Sequence, residues 1–251
     1  MLEESIRQYD EFARDYHWLY SDRGLSGELA IEENEDLLRP IEQEMWILDC
    51  SCGIGTLTLA LAKRGFKVIG ADGSKGMIEQ AISAAARAGL SVPLICSTWE
   101  ELPKQFEDRF ELVFCLGNSL GHCRNRNEML RSLEGMRGVL RNDGKLVIQS
   151  RNWEYLRQEK KPVTHFQWRE RAGQRCLPIY VWNFPESFYG KHMIEVILVF
   201  DADGQASIRS YPITYYPFRF EQLTECLESA GFVKVESNFN QNNAEYRVIA
   251  S

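Results

Sequence analysis

Two aspartates and two glycines carry the strongest chemical signal in the sequence. Asp49 closes the short apolar segment 46–50, Gly53 and Gly55 follow at once, and Asp72 closes the next apolar segment. Glycines in such a turn let the backbone approach a ligand, because no Cβ intervenes. A carboxylate beside the turn would repel a pyrophosphate and attract an ammonium group. Asp72 is suited to accept hydrogen bonds from two ribose hydroxyls, so the set predicts a nucleoside with a positively charged tail.

Other interpretations of these residues stay open. Aspartate is a common helix cap, so Asp49 or Asp72 alone is equally well explained by local structure. A dinucleotide fingerprint requires Gly-x-Gly-x-x-Gly, but Thr58 occupies the third glycine position. An NAD-dependent oxidoreductase is therefore the weaker alternative.

Thr98 and Trp99 follow the third apolar segment, where the base of a nucleoside is expected. The Trp99 ring would flank an adenine, and the Thr98 hydroxyl would contact its polar edge. The alternative is that Trp99 only fills the core, as large aromatic side chains often do.

Alternating strands and helices must position these residues. Periodicity and glycine boundaries predict strands over 46–50, 66–71, 92–96, 110–116 and 145–150. They predict helices over 56–63, 75–89 and 127–140, with Ser74 as an N-cap and Asn142-Asp143-Gly144 as a turn. A helix over 220–230 and strands over 232–239 and 245–250 complete the pattern. We expect a doubly wound, mostly parallel seven-stranded α/β sheet, with ligands at the carboxyl ends of its strands.

Three regions are predicted along the chain. Residues 1–44 form an N-terminal helical flap of two helical stretches, the second acidic. Residues 45–157 and 218–251 form the α/β domain. Residues 158–217 are aromatic and alternating, with predicted strands over 177–184, 193–201 and 206–216 and a hairpin turn at 201–204. They are expected to form an antiparallel insertion over the ligand edge.

Tyrosines recur in the first of these regions. Tyr9, Tyr16 and Tyr20 are spaced seven and four residues apart and would share one helical face. Such a stripe is more often part of a core. Here it also suits a flap that covers a ligand and excludes water.

The pattern formed by Asp49 to Gly55, Asp72, Thr98-Trp99, Leu116 to Ser119 and the Gly144 turn resembles the class I S-adenosylmethionine-dependent methyltransferases. Within them, the chain is similar to the glycine N-methyltransferase group, which includes bacterial glycine and sarcosine methylating enzymes. Three segments carry this closer likeness: 115–119 with His122, 150–155, and Tyr215-Tyr216-Pro217. Ile54 departs from the threonine usual in that group. The N-terminal segment is short, and in the animal enzyme it helps to close neighbouring subunits, so the oligomeric state stays open.

The resemblance implies a Rossmann-like fold, S-adenosylmethionine as cofactor, S-adenosylhomocysteine as product, and N-methylation of a small amine such as glycine or sarcosine by direct in-line transfer. The residues expected to hold the cofactor are Asp49, Gly53, Gly55, Asp72, Thr98, Trp99, Leu116, Tyr16 and Arg23. Asn118, Arg151, Tyr20 and Tyr215 are expected to meet the substrate or take part in catalysis.

Arg151 is the candidate for holding a substrate carboxylate. It follows the fifth strand, and a guanidinium can grip a carboxylate through two parallel hydrogen bonds. A surface salt bridge is the alternative for this residue. Tyr180 and Trp182 would supply an opposite wall. His122 is a possible proton acceptor, although a hydrogen-bonded loop histidine is preferred, and no general base is assigned.

Composition narrows the function classes. The 251 residues carry a formal net charge of −7, and no basic run exceeds Lys160-Lys161, which disfavours a nucleic-acid substrate. No apolar stretch would span a bilayer, and neither cysteine nor histidine spacing suggests a metal. We expect a cytoplasmic enzyme that uses no metal. The alternatives are a small-molecule O-methyltransferase and a non-catalytic binding protein of the same fold.

Overall fold

The structure is a computed structural model that describes residues 3–42, 44–106, 110–202 and 205–251. The first strands are β1 (Trp46–Asp49), β2 (Lys67–Asp72), β3 (Leu94–Cys96), β4 (Phe110–Cys115) and β5 (Leu140–Arg151). They are followed by β6 (Val163–His165), β7 (Arg169–Arg171), β8 (Gln174–Asn183), β9 (His192–Ala202) and β10 (Gln205–Tyr215). The last strands are β11 (Val235–Ser237) and β12 (Glu245–Ala250).

The main sheet has seven strands in the order β11-β12-β5-β4-β1-β2-β3. β1 pairs in parallel with β2 and β4, and β4 with β5, whereas β12 runs antiparallel to β5. This confirms the predicted α/β class. The parallel strands bring Asp49, Asp72 and Arg151 to the same edge, because each stands at the carboxyl end of its strand.

Helices cover both faces of this sheet. They are α1 (Glu3–Phe12), α2 (Asp22–Leu25), α3 (Glu28–Glu33), α4 (Glu35–Leu38), α5 (Thr56–Lys63), α6 (Lys75–Arg87), α7 (Leu102–Gln105), α8 (Arg126–Val139), α9 (Trp153–Glu159) and α10 (Phe220–Ser229). Short 3-10 turns cover Tyr16–Leu19, Trp99–Glu101 and Ser119–His122. Ser74 caps α6 as expected, its hydroxyl accepting from the amide of Met77 at 3.1 Å.

The N-terminal region differs from the predicted pair of helices. It breaks into α1, a 3-10 turn and three short helices, so the three tyrosines do not share one helix. Gly27 explains one break: its φ is +78°, and a Cβ there would meet the carbonyl oxygen of Thr56 at 2.4 Å. The chain therefore needs glycine where it passes close to α5.

β5 also corrects an expectation. The predicted turn at 142–144 lies within one strand, whose register against β4 shifts between Phe110 and Leu112. A Cβ at Gly144 would meet the carbonyl oxygen of Phe110 at 2.8 Å, so glycine lets the two strands approach at this irregularity.

The antiparallel sheet follows the order β10-β9-β8-β6, with β7 also paired to β8. The predicted strands correspond to β8, β9 and β10, but β6 and β7 were missed, since each has only three residues and β6 is fully exposed. Of the predicted hairpin turn, Asp203 and Gly204 lie outside the described residues, while Ala202 and Gln205 on either side are paired. Within the described ranges, no helix is both long and apolar enough to cross a membrane.

Candidate active site

The glycine turn between β1 and α5 forms one wall of the site. Gly53 has φ +53°, and a Cβ added there would point at Tyr16, whose Cε1 would lie 3.8 Å away. Gly55 has φ +85°, but its Cβ would meet Ala81 on α6 at 3.1 Å. Gly53 therefore faces open space beneath the aromatic flap, whereas Gly55 permits the turn and the close packing of two helices.

Asp72 and Asp49 lie beside this turn. Asp72 accepts the amide N–H of Gly53 through Oδ2 and that of Ser74 through Oδ1, both at 2.9 Å. Asp49 is 2% exposed and accepts the Thr58 hydroxyl at 2.8 Å. Backbone and side-chain donors thus hold both carboxyl groups in fixed orientations, and both groups line the same cavity.

That cavity has a volume of about 240 Å³. Its floor is the glycine turn and the ends of β1 and β2, and its roof is the N-terminal region. The tyrosines of the roof are Tyr9, Tyr16 and Tyr20. Their rings touch edge to face, with centroids 6.0 Å apart for Tyr9 and Tyr16 and 5.7 Å for Tyr16 and Tyr20. The expected grouping of these tyrosines therefore forms, although across a helix end rather than along one helix.

A second group of polar atoms lies beyond the end of β5. Six buried side-chain atoms of the described residues have no hydrogen-bond partner, and three of them belong to residues at or just after the ends of β4 and β5: Asn118 Nδ2, Arg151 Nη1 and Trp153 Nε1. We call these three atoms the donor cluster. A Cβ built on Gly121 would meet Trp153 Cζ2 at 2.8 Å and Asn118 Nδ2 at 3.4 Å, so the Trp153 ring and the Asn118 amide both lie close to Gly121.

Local contacts orient the donor cluster. The backbone N–H of Arg151 donates to Asn118 Oδ1 at 2.8 Å, which leaves the Nδ2 end of that amide free to donate. The Arg151 guanidinium lies over the rings of Tyr215 and Trp182, with its carbon 5.0 and 5.4 Å from the centroids. Aromatic faces hold a cation in place without neutralising it.

The chain is similar to known methyltransferases. A family model described as a methyltransferase domain matches residues 47–144. A glycine/sarcosine N-methyltransferase from Aphanothece halophytica is 31% identical over 215 residues, covering 80% of this chain and 74% of that protein. The chain is a class I S-adenosylmethionine-dependent methyltransferase. It resembles the glycine N-methyltransferase group.

Two further comparisons agree with this family. A glycine/sarcosine N-methyltransferase from Parasynechococcus marenigrum (strain WH8102) is 25% identical over 243 residues, covering 93% of this methyltransferase and 81% of that one. The structure of the CcbJ methyltransferase from Streptomyces caelestis matches with a TM-score of 0.78, covering 99% of this chain and 98% of that chain at 18% identity. At that identity the likeness concerns the fold alone.

The chemistry of the cavity fits the cofactor of this methyltransferase family. Burial raises the pKa of Asp49 to about 7, although the Thr58 hydroxyl opposes the rise. Burial also raises the pKa of Asp72 to about 6, against the amides of Ser74 and Gly53. Carboxyl groups held in this way gain from a ligand that brings positive charge and hydroxyl donors. S-adenosylmethionine carries a sulfonium, an ammonium and two ribose hydroxyls.

Two residues expected at the adenine do not line this cavity. Trp99 is fully buried, and its indole N–H donates to the carbonyl oxygen of Cys50 at 2.8 Å, so its ring fills the core rather than flanking the cavity. The Thr98 hydroxyl donates to Glu101 at 2.8 Å and caps the following 3-10 turn. The sequence could not distinguish these outcomes, because a capping threonine and a core tryptophan show the same pattern at a strand end.

Arg23 also departs from expectation. Its guanidinium pairs with Glu32 at 2.6 Å, and both side chains are more than half exposed, so the structure does not bring Arg23 to the cavity wall. Leu116, Tyr16, Tyr20 and Gly53 do line the cavity.

The sequence interpretation missed two features of the site. Trp153 appeared only as part of a family likeness, but its indole belongs to the donor cluster. His122 is hydrogen-bonded through both ring nitrogens, in agreement with the preferred interpretation, but its burial (2% exposed) and its place in the cavity wall were not foreseen. Its position four residues after Asn118, with an intervening glycine, was the available signal.

Proposed function

We propose that this methyltransferase moves a methyl group from S-adenosylmethionine to the nitrogen of a small amino acid such as glycine, sarcosine or a related amine. The observation that carries this proposal is the donor cluster beside the cavity. A substrate carboxylate is the kind of acceptor that these buried donors lack. The two relatives described above carry glycine/sarcosine N-methyltransferase names, which supports the same substrate class.

Arg151 is the residue that would select a carboxylate. A buried N–H without an acceptor costs about 1–3 kcal/mol, and more when the group is charged. Burial opposes the charge of Arg151, but Tyr215 and Tyr180 beside it act in the other direction, and the net effect raises its pKa. The guanidinium therefore stays charged, and a carboxylate could meet it through two parallel hydrogen bonds. Asn118 would orient the same group, and Tyr215 would close the wall behind it.

We assign the cofactor to the 240 Å³ cavity. Asp72 would accept the ribose hydroxyls, Asp49 would attract the cationic methionine end, and Gly53 would let the backbone approach. Leu116 would pack beside the adenine.

When bound, S-adenosylmethionine supplies a methyl group made electrophilic by the sulfonium. The residues of this chain would align the acceptor and exclude water, which direct in-line transfer requires. Tyr16 and Tyr20 would cover the site, with the Tyr20 hydroxyl towards the reacting groups. The amine must arrive unprotonated, so that its lone pair is free to attack the methyl carbon.

We further propose that residues 1–44 act as a flap and 158–217 as a lid on a cofactor domain formed by 45–157 and 218–251. Contacts between flap and lid support this division. Arg171 donates to the carbonyl oxygens of His17 and Tyr20 at 2.7 and 2.8 Å. Arg209 donates to both carboxylate oxygens of Asp15 at 2.8 Å. The insertion thus grips the segment that carries the roof tyrosines.

Calorimetric titration tests the proposal directly. S-adenosylmethionine is added first, and then glycine and sarcosine are added to the complex with S-adenosylhomocysteine, which prevents turnover. The same titrations are made with Arg151→Lys and with a control, Arg175→Lys. Arg175 also lies over a ring, that of Trp168 at 4.8 Å, but its side chain is 49% exposed and pairs with Asp201.

We expect glycine or sarcosine to bind the complex, and Arg151→Lys to weaken that binding by about tenfold or more, since lysine cannot form the bidentate pair. Cofactor affinity should change less than twofold, and the control should match the wild type. Equal losses for cofactor and amino acid would make Arg151 a structural residue and overturn the proposal. Cofactor binding with no amino-acid binding would also overturn it and direct attention to acceptors with a hydroxyl nucleophile.

A further inference from the structure

His122 lies between the cofactor cavity and the donor cluster. Its Nδ1 is 2.8 Å from the carbonyl oxygen of Thr214, and its Nε2 is 2.9 Å from the hydroxyl of Tyr9. The imidazole also stacks on Tyr215, with centroids 4.6 Å apart and 26° between the planes. Strand β10 and helix α1 thus fix the ring from two sides.

These contacts determine which atoms carry protons. A carbonyl oxygen can only accept, so Nδ1 of His122 must carry a hydrogen. In the neutral ring Nε2 is then an acceptor, and the Tyr9 hydroxyl must donate to it. The hydroxyl oxygens of Tyr9 and Tyr215 are 3.5 Å apart. Because the single Tyr9 proton is donated to His122, any hydrogen bond between the two tyrosines must be donated by Tyr215 and accepted by Tyr9. A lone pair of the Tyr9 oxygen is left without a donor among these contacts, and Tyr9 is one of the residues that line the cavity.

We propose that His122 is a positioning residue, which holds the Tyr9 hydroxyl so that its oxygen presents a lone pair to a positively charged ligand in the cavity. S-adenosylmethionine is positively charged at sulfur, whereas the product S-adenosylhomocysteine is neutral there. A lone pair held towards the cavity favours the first over the second, both through charge and through weak contacts with polarised C–H groups. The inference rests on the cavity being the cofactor site, and not on the identity of the acceptor.

The alternative role of His122, as a general base, is disfavoured by its low pKa. Burial lowers the pKa of His122 to about 4, the Thr214 carbonyl opposes this, and the charge of Arg151 adds to it. Even the α-amino group of a peptide has a pKa of about 8, and the amine of a free amino acid is more basic still, so the acceptor holds its proton at least roughly ten-thousandfold more tightly than this imidazole would. Burial also raises the pKa of Tyr9, which keeps its hydroxyl a donor.

Several ionisable groups face the imidazole. They are Tyr9 from α1, Tyr215 from β10 and Arg151 from β5. The arginine is a permanent cation, and its charge disfavours an imidazolium. With its pKa lowered to about 4, His122 is neutral near pH 7, so its Nε2 accepts the hydrogen bond from Tyr9 there.

The test compares dissociation constants for S-adenosylmethionine and S-adenosylhomocysteine by calorimetry, with no acceptor present. The variants are Tyr9→Phe, His122→Phe, the double variant and His122→Gln. Phenylalanine keeps a ring to stack on Tyr215 but removes both hydrogen bonds, whereas the glutamine amide oxygen can still accept from Tyr9. His165→Phe, at an exposed histidine of β6, is the matched control.

We expect Tyr9→Phe and His122→Phe each to reduce the preference for S-adenosylmethionine by roughly threefold to tenfold, the size of one hydrogen bond. The double variant should lose no more than either single variant, because His122 acts through Tyr9. His122→Gln should recover most of the preference, and the control should not change it. Losses that multiply in the double variant, or equal weakening of both ligands by His122→Phe, would refute the inference. These titrations contain no methyl acceptor. If they refute the role of His122, the proposal of an amino-acid acceptor still stands, and if glycine and sarcosine fail to bind, the result for His122 still stands.

Discussion

Replacing Asp49 with asparagine should stabilise the ligand-free protein while weakening cofactor binding. Asp49 is 2% exposed, and burial raises its pKa to about 7. An unfolded aspartate has a pKa of about 3.9, so the folded carboxyl holds a proton about three pKa units more tightly. The folded state therefore binds more protons than the unfolded state between about pH 4 and pH 7. The contribution of the Asp49 carboxyl to the free energy of unfolding is fully present below about pH 4 and is lost as the pH rises through 7.

The size of the effect follows from this difference. Three pKa units at 1.36 kcal/mol each correspond to about 4 kcal/mol of the free energy of unfolding at pH 8. Asparagine stays neutral and can still accept a hydrogen bond from the Thr58 hydroxyl, so Asp49→Asn should recover much of this lost stability of about 4 kcal/mol. For a chain of this size 1 kcal/mol moves the melting temperature by about 2–4 °C, which predicts an increase of roughly 10 °C at pH 8. At pH 5 the folded carboxyl is still protonated but the unfolded one is mostly ionised, so only about one of the three pKa units, roughly 1.5 kcal/mol, has been lost. The variant should therefore melt only about 3–6 °C above the wild type at pH 5.

Thermal unfolding of the ligand-free proteins at pH 5 and pH 8 measures this directly. Asp143→Asn, at an exposed position of β5, serves as the control and should change neither value. With S-adenosylmethionine added at pH 8, the order should reverse, because the variant lacks the carboxylate that attracts the cationic ligand. We expect its dissociation constant to rise about tenfold or more, as for loss of a charge-assisted hydrogen bond. The reasoning fails if Asp49→Asn lowers the melting temperature at pH 8, or raises it equally at both pH values.

Three further substitutions test separate parts of the site. Gly53→Ala adds a Cβ towards the cavity at φ +53° and should weaken cofactor binding about tenfold in titrations. The control is Gly65→Ala, at φ +86° in open space. It carries a similar backbone strain of about 1–2 kcal/mol and should only lower the melting temperature. Trp153→Phe removes one donor of the cluster and should raise KM for the amino acid about threefold to tenfold without changing cofactor affinity; equal changes would refute its role. Thr58→Val removes the hydroxyl that lowers the pKa of Asp49, so the midpoint of the pH dependence of cofactor binding should move upwards, and an unchanged midpoint would contradict the assignment.

Local signals predicted the elements of the main sheet well. The predicted helix over 56–63 has the bounds of α5, and Ser74 caps α6 as expected, because a cap and a glycine act within one turn of the residues they control. The strands at Asp49 and Asp72 were found for a similar reason, since short apolar runs bounded by glycine have few other structures available.

Contacts between distant segments were less predictable. The Tyr9–His122 hydrogen bond joins residues 113 positions apart, and nothing local to either one indicates the other. The same holds for the backbone N–H of Arg151 and the Asn118 amide. Trp99 is a different case. Its place at the end of a predicted strand could be read from the sequence, but the direction of its side chain depends on how the core beneath it packs.

The two ends of the site carry opposite electrostatic demands. At one end, burial raises the pKa of Asp49 and Asp72, which makes their charged forms costly in the ligand-free protein. At the other end, the Arg151 guanidinium lies against the rings of Tyr215 and Trp182, and its buried Nη1 has no hydrogen-bond partner among the described residues. A buried carboxylate and a buried guanidinium without an acceptor each destabilise the folded protein, and hydrophobic side chains in their place would remove that cost. We infer that both persist because ligands relieve them: a cation beside the aspartates and a carboxylate beside the arginine. A cationic methyl donor and an acceptor with a carboxylate would then enter in fixed orientations, with the Tyr9 hydroxyl between them.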